Sequence, residues 1–196
     1  MVGVTVYSPT MMNESSTIEP LLGDDGDEVK LEPNKSLRNN FILMSILFSA
    51  NQACVVACVA YSSDQLGDTL GGYGSGCLFI CYALTSCFCA KPIVSMIGPK
   101  NGLLVGASGY CVYVLGFLLS LYVPGSRWPL FIAACVVGGL AGGVFWTAQG
   151  RYFARSARMY AEVNGKLQED VTASFAGLFA TYYLGLEMAT KLTVST

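Results

Sequence analysis

Residues 138–158 of this chain read GGLAGGVFWTAQGRYFARSAR, and this stretch decides the fold. Its first half is uncharged and rich in glycine, whereas its second half carries three arginines at helical spacing, Arg151, Arg155 and Arg158. Apolar sequence gives way to cationic sequence at Trp146 and at Gln149-Gly150, where the pattern predicts a turn in the headgroup zone that tryptophan favours. Because cationic segments are retained in the cytosol, the stretch predicts the inner end of a membrane-spanning helix.

The composition of the whole chain is that of an integral membrane protein. Of its 196 residues, 53% are hydrophobic, only 12% are charged and none is histidine, whereas a soluble domain carries about 25% charged residues. The eight cysteines lie inside hydrophobic runs and lack the spacing of a zinc site, so they are interpreted as small packing residues. No nucleophile–base pair or phosphate loop is recognisable, and we expect neither a cofactor nor an enzyme.

The distribution of charge divides the chain into a tail and a transmembrane domain. Residues 1–38 hold seven of the thirteen acidic residues, and they are predicted to form a disordered acidic cytosolic tail. Residues 39–192 contain four charge-free intervals longer than the ~20 residues that span a bilayer, and a fifth of only 16. The sequence therefore predicts an all-α transmembrane bundle with about five spans, at 41–61, 69–90, 102–123, 128–149 and 171–192.

The lysines and arginines predict how this bundle is oriented. If the N-terminus is cytosolic, nine of the eleven basic residues lie inside, and only Arg127 and Lys191 lie outside. Such a bias is typical of multi-pass proteins with a cytosolic N-terminus. A surface helix over about 151–163 then lies in the cytosol and ends at Asn164-Gly165.

This surface helix indicates membrane lipids as partners. Its arginines can hold lipid phosphates, while Phe153 and Tyr160 are expected to dip into the interface. The basic charge is too sparse for a nucleic-acid partner.

Four glycines in the fourth predicted span form two overlapping G-x-x-x-G pairs: Gly138, Gly139, Gly142 and Gly143. Glycine faces let another membrane helix approach closely, so they predict packing against other membrane proteins or a second copy. The alternative is a helix that slides or bends during transport.

Three polar residues are predicted to lie inside spans. For Asn51 and Gln52 a hydrogen bond between helices is favoured, and lining of a polar cavity is the alternative. Glu187 has Lys191 four residues later, which favours an ion pair over an ion or proton site.

Two short motifs carry a resemblance to a known family. The first is Pro92 followed by Gly98-Pro99-Lys100, and the second is Trp146-Thr147-Ala148-Gln149-Gly150. Together with Gly106 and Tyr110, they resemble the Unc-ninety-three-like family, the ion channel regulatory branch of the major facilitator superfamily. The resemblance covers about residues 41–190. It implies part of a facilitator-type N-terminal half, and a role as a regulatory or escort partner of membrane proteins such as ion channels.

The chain departs from the superfamily in two respects, which leave other interpretations open. Ser95 stands where transporters carry a loop aspartate, and five expected spans compare with twelve helices around a site between two halves. The alternatives are a facilitator-type solute transporter and a truncated product without independent activity.

Overall fold

The computed structural model describes residues 33–194, and every regular element in this range is helical. The described part of the chain has six α-helices: α1 Pro33–Leu66, α2 Asp68–Leu84, α3 Ala90–Ile97, α4 Pro99–Tyr122, α5 Arg127–Asn164 and α6 Gln168–Val194. The predicted all-α helical bundle is confirmed. Nearly all of the predicted tail lies outside the described residues.

The helices α2 and α3 are joined by a π-helix over Thr85–Cys89, so that helix continues without a break from residue 68 to 97. Residues 91–97, which lie beyond the second predicted span, are therefore helical. The wider π turn gives room to the ring of Pro92, which in an α-helix would crowd the carbonyl group four residues earlier. The turn itself is confined to Gly98, whose φ of 81° suits glycine. Pro99 then opens α4, where its missing N–H is not needed.

The helix α5 runs for 38 residues through the predicted turn. The prediction of a turn at Gln149-Gly150 is wrong, because Gly150 adopts helical geometry and the helix continues to Asn164. The predicted stop at Asn164-Gly165 is confirmed, since Gly165 adopts a left-handed conformation with φ of 60°. The predicted surface helix is the last part of this same helix.

Within residues 33–194, four helical segments are long and apolar enough to cross a membrane: α1, the continuous α2–α3 segment, α4 and α5. The chain is thus a multi-pass transmembrane protein. The fifth predicted span falls in α6, which has 27 residues but carries Glu169, Asp170, Glu187 and Lys191. Its crossing of the membrane stays a prediction.

The helices α4 and α5 pack closely in antiparallel register. Gly102 of α4 faces Ala148, and a Cβ atom built on Gly102 would lie 2.9 Å from the methyl group of Ala148. Further along α4, Gly109 faces Ala141 in the same way. Small residues on both helices bring the two backbones together, which increases dispersion contacts where no hydrophobic force acts between helices.

Candidate functional site

Two of the four glycines in the G-x-x-x-G pairs of α5 face α4. A Cβ atom on Gly138 would lie 3.0 Å from Cβ of Tyr113, and one on Gly142 would lie 2.6 Å from the hydroxyl oxygen of Tyr110. Both tyrosines are buried, so each ring fills the space that the absent side chain leaves.

The other two glycines of the G-x-x-x-G pairs face the α2–α3 segment. A Cβ atom on Gly139 would lie 2.5 Å from the carbonyl oxygen of Leu78, and one on Gly143 would lie 2.7 Å from Cβ of Thr85. The two G-x-x-x-G pairs thus contact two different helices of this same chain. Because all four glycines are buried by these contacts, they are not available to a partner.

A different row of small residues lies on the exposed side of α6, at every fourth position: Ala173, Gly177, Thr181, Gly185 and Ala189. We call this row the α6 stripe. A Cβ atom on Gly177 or Gly185 would meet nothing within 4 Å. The hydroxyl of Thr181 donates a hydrogen bond to the carbonyl oxygen of Gly177 at 2.8 Å, so it needs no partner in lipid. The recurrence of small residues from 173 to 189 is a signal that the sequence analysis missed.

The opposite side of α6 carries aromatic rings at the same four-residue spacing. Phe175 stacks on Phe41 of α1 with ring centroids 4.3 Å apart. One turn later Phe179 approaches Phe48 of α1 at 5.6 Å. The aromatic side therefore faces α1, and the α6 stripe faces outward.

The two family motifs are brought together at one end of the bundle. Gly98 and Pro99 form the turn into α4, and Gly102, one turn later, rests on Ala148 of the second motif and on Val94 of α3. Val94 and Ala148 are fully buried. The remaining motif residues differ in exposure: Pro92, Lys100 and Gly150 are exposed, Trp146 is half-buried and Gln149 is buried.

Trp146 packs against rings of two other helices and is half-buried. Its ring meets Phe48 of α1 edge-on at 4.9 Å and Tyr183 of α6 edge-on at 5.8 Å. The tryptophan thus connects three helices, α1, α5 and α6.

The three polar residues predicted inside spans do not form one site. Asn51 Oδ1 and Gln52 Oε1 are buried and accept no hydrogen bond from the described residues, so the favoured hydrogen bond between helices is wrong for these two oxygens. Glu187 instead accepts a hydrogen bond from Lys191 Nζ at 2.6 Å, which confirms the ion pair predicted from their spacing.

Glu187 also borders a cavity of about 20 Å³ between α1 and α6. Its other walls are Ala53, Val56, Ala57, Ala60, Thr190 and Lys191. This volume suits one water molecule rather than a solute. Among residues 33–194, no three histidine, cysteine or acidic side chains are grouped so that they could hold a metal ion.

The last part of α5 has a basic face and an apolar face. On the basic face, Arg158 Nε donates a hydrogen bond to Glu162 at 2.8 Å, and Arg155 is exposed. On the apolar face, Ala157 and Ala161 are buried in one cluster with Phe41, Val171 and Phe175. Phe153 meets Phe41 at 5.5 Å and Tyr160 meets Phe175 at 5.2 Å. These two rings pack on α1 and α6. Their insertion into the lipid interface, as expected from the sequence, stays a prediction.

Comparison with known proteins identifies a family model and several relatives. The model described as Ion channel regulatory protein UNC-93 matches residues 63–187. UNC93-like protein 3 of Arabidopsis thaliana is 27% identical over 165 residues, which are 82% of this chain and 33% of the relative. Protein unc-93 homolog A of Xenopus laevis is 30% identical over 111 residues, or 55% of this chain and 23% of the relative. The protein of the same description from Bos taurus is 29% identical over 96 residues, which are 49% of this chain and 20% of the relative.

The chain therefore spans a third or less of the length of these relatives. No solved structure matches it.

Proposed function

Because this chain belongs to the UNC-93 family of ion channel regulatory proteins, we propose that it acts as a regulatory partner of another membrane protein, such as an ion channel. The observation that carries this proposal is the family match over residues 63–187. The finer part of the proposal concerns the surface that the partner contacts, which we assign to the α6 stripe.

Three properties of the α6 stripe support this assignment. Its small residues recur every fourth position and are all exposed, so a partner helix can approach the backbone of α6 along several turns. Its hydroxyl group is already hydrogen-bonded within α6. The aromatic side of α6 packs on α1, which leaves the stripe free of contacts with the described bundle.

We further propose an orientation of the bundle in the membrane and a contact of its basic end with lipids. The N-terminus and the basic end of α5 lie in the cytosol, as the bias of lysine and arginine indicates. The exposed Arg155 contacts lipid phosphates there, and the ion-paired Arg158 does so more weakly because Glu162 already neutralises it.

A paired co-purification and current measurement tests the proposed function. The chain is co-expressed in oocytes with each member of a panel of cation channels, and channel recovery in mild detergent is measured together with current amplitude. We expect at least one channel to be recovered and its current to change. Gly177→Leu/Gly185→Leu should lower that recovery about tenfold, because leucines on the stripe prevent close helix approach.

The matched control is Gly72→Leu/Gly76→Leu on α2, since these glycines are also exposed and also have nothing within 4 Å of a Cβ atom. This control should leave recovery and current unchanged. Equal binding by both double variants would contradict the assignment to the α6 stripe. If no channel of the panel is recovered or changed in current, the regulatory function itself is contradicted.

A further inference from the structure

Two exposed thiols lie in the π-helix that joins α2 to α3 within the second membrane segment. Cys87 and Cys89 belong to the π-helix over Thr85–Cys89, and both are exposed. Between them, Phe88 is 74% exposed, so this part of the segment projects an apolar surface away from the bundle. The exposed Lys91 follows two residues later.

The depth of these thiols follows from the length of the helix. The segment begins at Asp68, and about twenty helical residues cross the hydrocarbon layer. The far boundary therefore falls close to Phe88, and the two cysteines lie on either side of it. Lys91 and Lys100 place this boundary on the cytosolic side if the proposed orientation holds.

We propose that Cys87 and Cys89 are sites of S-acylation by a long-chain fatty acid. In the net reaction, the cysteine sulfur bonds to the carbonyl carbon of a long-chain acyl-coenzyme A, and the bond between that carbon and the coenzyme A sulfur breaks. The cysteine proton passes to the released coenzyme A thiol, and nothing is oxidised or reduced. The acyl chain then lies along the exposed apolar surface around Phe88 and adds its own buried methylene groups to the membrane anchoring.

The chain contains its own matched controls. Cys54 and Cys111 are also exposed thiols, but they lie deep in their spans. Cys111 is about 18 Å along α4 from Pro99, and Cys54 is about 20 Å along α1 from Phe41. An acyl donor supplied at the cytosolic surface reaches the boundary thiols and not these two. The inference rests on the proposed orientation and is independent of any channel partner.

The test uses the full chain expressed in cells, with free thiols blocked, thioesters cleaved by hydroxylamine, and the released thiols coupled to a polyethylene glycol maleimide. We expect one or two mass tags that depend on hydroxylamine. Cys87→Ser/Cys89→Ser should remove every tag, whereas Cys54→Ser/Cys111→Ser should keep them. The amount of each variant in the membrane fraction is measured in parallel, because the substitutions are at exposed positions and should not lower it.

Three results would overturn the inference. One is an untagged wild-type chain in cells where a known S-acylated protein is tagged. The second is a tag that survives in Cys87→Ser/Cys89→Ser, and the third is loss of the tag in Cys54→Ser/Cys111→Ser. Since no channel is present in this assay, its outcome is separate from that of the co-purification experiment.

Discussion

Gly139 and Gly150 belong to the same helix, yet an added methyl group has opposite consequences at the two positions. At Gly139 the methyl carbon would lie 2.5 Å from the Leu78 carbonyl oxygen and 2.6 Å from Cβ of Cys81. Neither atom is the end of a flexible side chain, so α2 itself would have to shift. At Gly150 the methyl carbon would meet nothing within 4 Å. The role of a glycine in this protein is therefore set by its neighbour and not by its residue type.

We expect Gly139→Ala to lower the free energy of unfolding by about 1–3 kcal/mol, because the closely packed α2–α5 contact becomes overpacked. Gly150→Ala should raise it by up to about 1 kcal/mol, since alanine favours the helix and finds open space. Thermal unfolding of the purified chain in one detergent, followed by circular dichroism, measures both changes. An equal loss of stability in the two variants would contradict the role of close approach at Gly139.

At the scale of the element, the last fourteen residues of α5 need an explanation, because they extend past the apolar part of the helix. They are held by contacts with the beginnings of two other helices, α1 and α6. Phe41 is fully buried and stacks on Phe175, and Ala157 lies against the same cluster with 1% exposure. The end of α5 is therefore a packed part of the bundle.

Phe175→Ala should detach this end of α5 by removing one of the stacked rings, at a cost of about 3–5 kcal/mol. Relative to the wild-type chain, we expect the hydrogen exchange of the backbone amides to become faster in residues 153–163 and to stay unchanged in residues 131–145. Mass spectrometry measures both regions. Phe88→Ala serves as the control, because Phe88 is 74% exposed and leaves no cavity. Similar exchange in both variants would show that Phe175 does not hold this end of α5.

The sequence predicted the positions of the helices better than it predicted which helices pack against each other. Charge-free runs mark helices because charges are excluded from lipid, and the ion pair of Glu187 with Lys191 follows from local helical spacing. The continuation of α5 through Gly150 was not predictable, since a glycine inside a helix and one that ends it look alike in sequence. The glycines predicted close approach, but a residue without a side chain does not indicate which helix it meets.

At the scale of the whole molecule, the distribution of cations determines which end of the bundle is cytosolic. Nine of the eleven lysines and arginines fall on one side under the proposed arrangement. Arg155 lies near the basic end of α5, and Ser126 lies in the short connection before that helix begins. The two positions should therefore be on opposite sides of the membrane.

Labelling with a membrane-impermeant maleimide measures this arrangement in intact cells. The background carries serine at the exposed cysteines Cys54, Cys87, Cys89 and Cys111. We expect Ser126→Cys to be labelled from outside and Arg155→Cys to be labelled only after the cells are permeabilised. The reverse pattern would invert the orientation, and it would also remove the basis for acylation at the boundary of the second segment.

The helix α5 is continuous over its whole length, so a small rotation at its middle becomes a larger displacement at its end. Its helical geometry continues from the glycines in the middle of the bundle to the basic end without a hinge. Arg158 lies about 22 Å along the axis from Gly143, so a rotation of the helix by roughly ten degrees about Gly143 displaces Arg158 by about 4 Å. Phe41 of α1 and Phe175 of α6 pack against Ala157 and Ala161 at that end. We therefore expect a displacement of the basic end to be shared by the beginnings of α1 and α6, which belong to the same buried cluster.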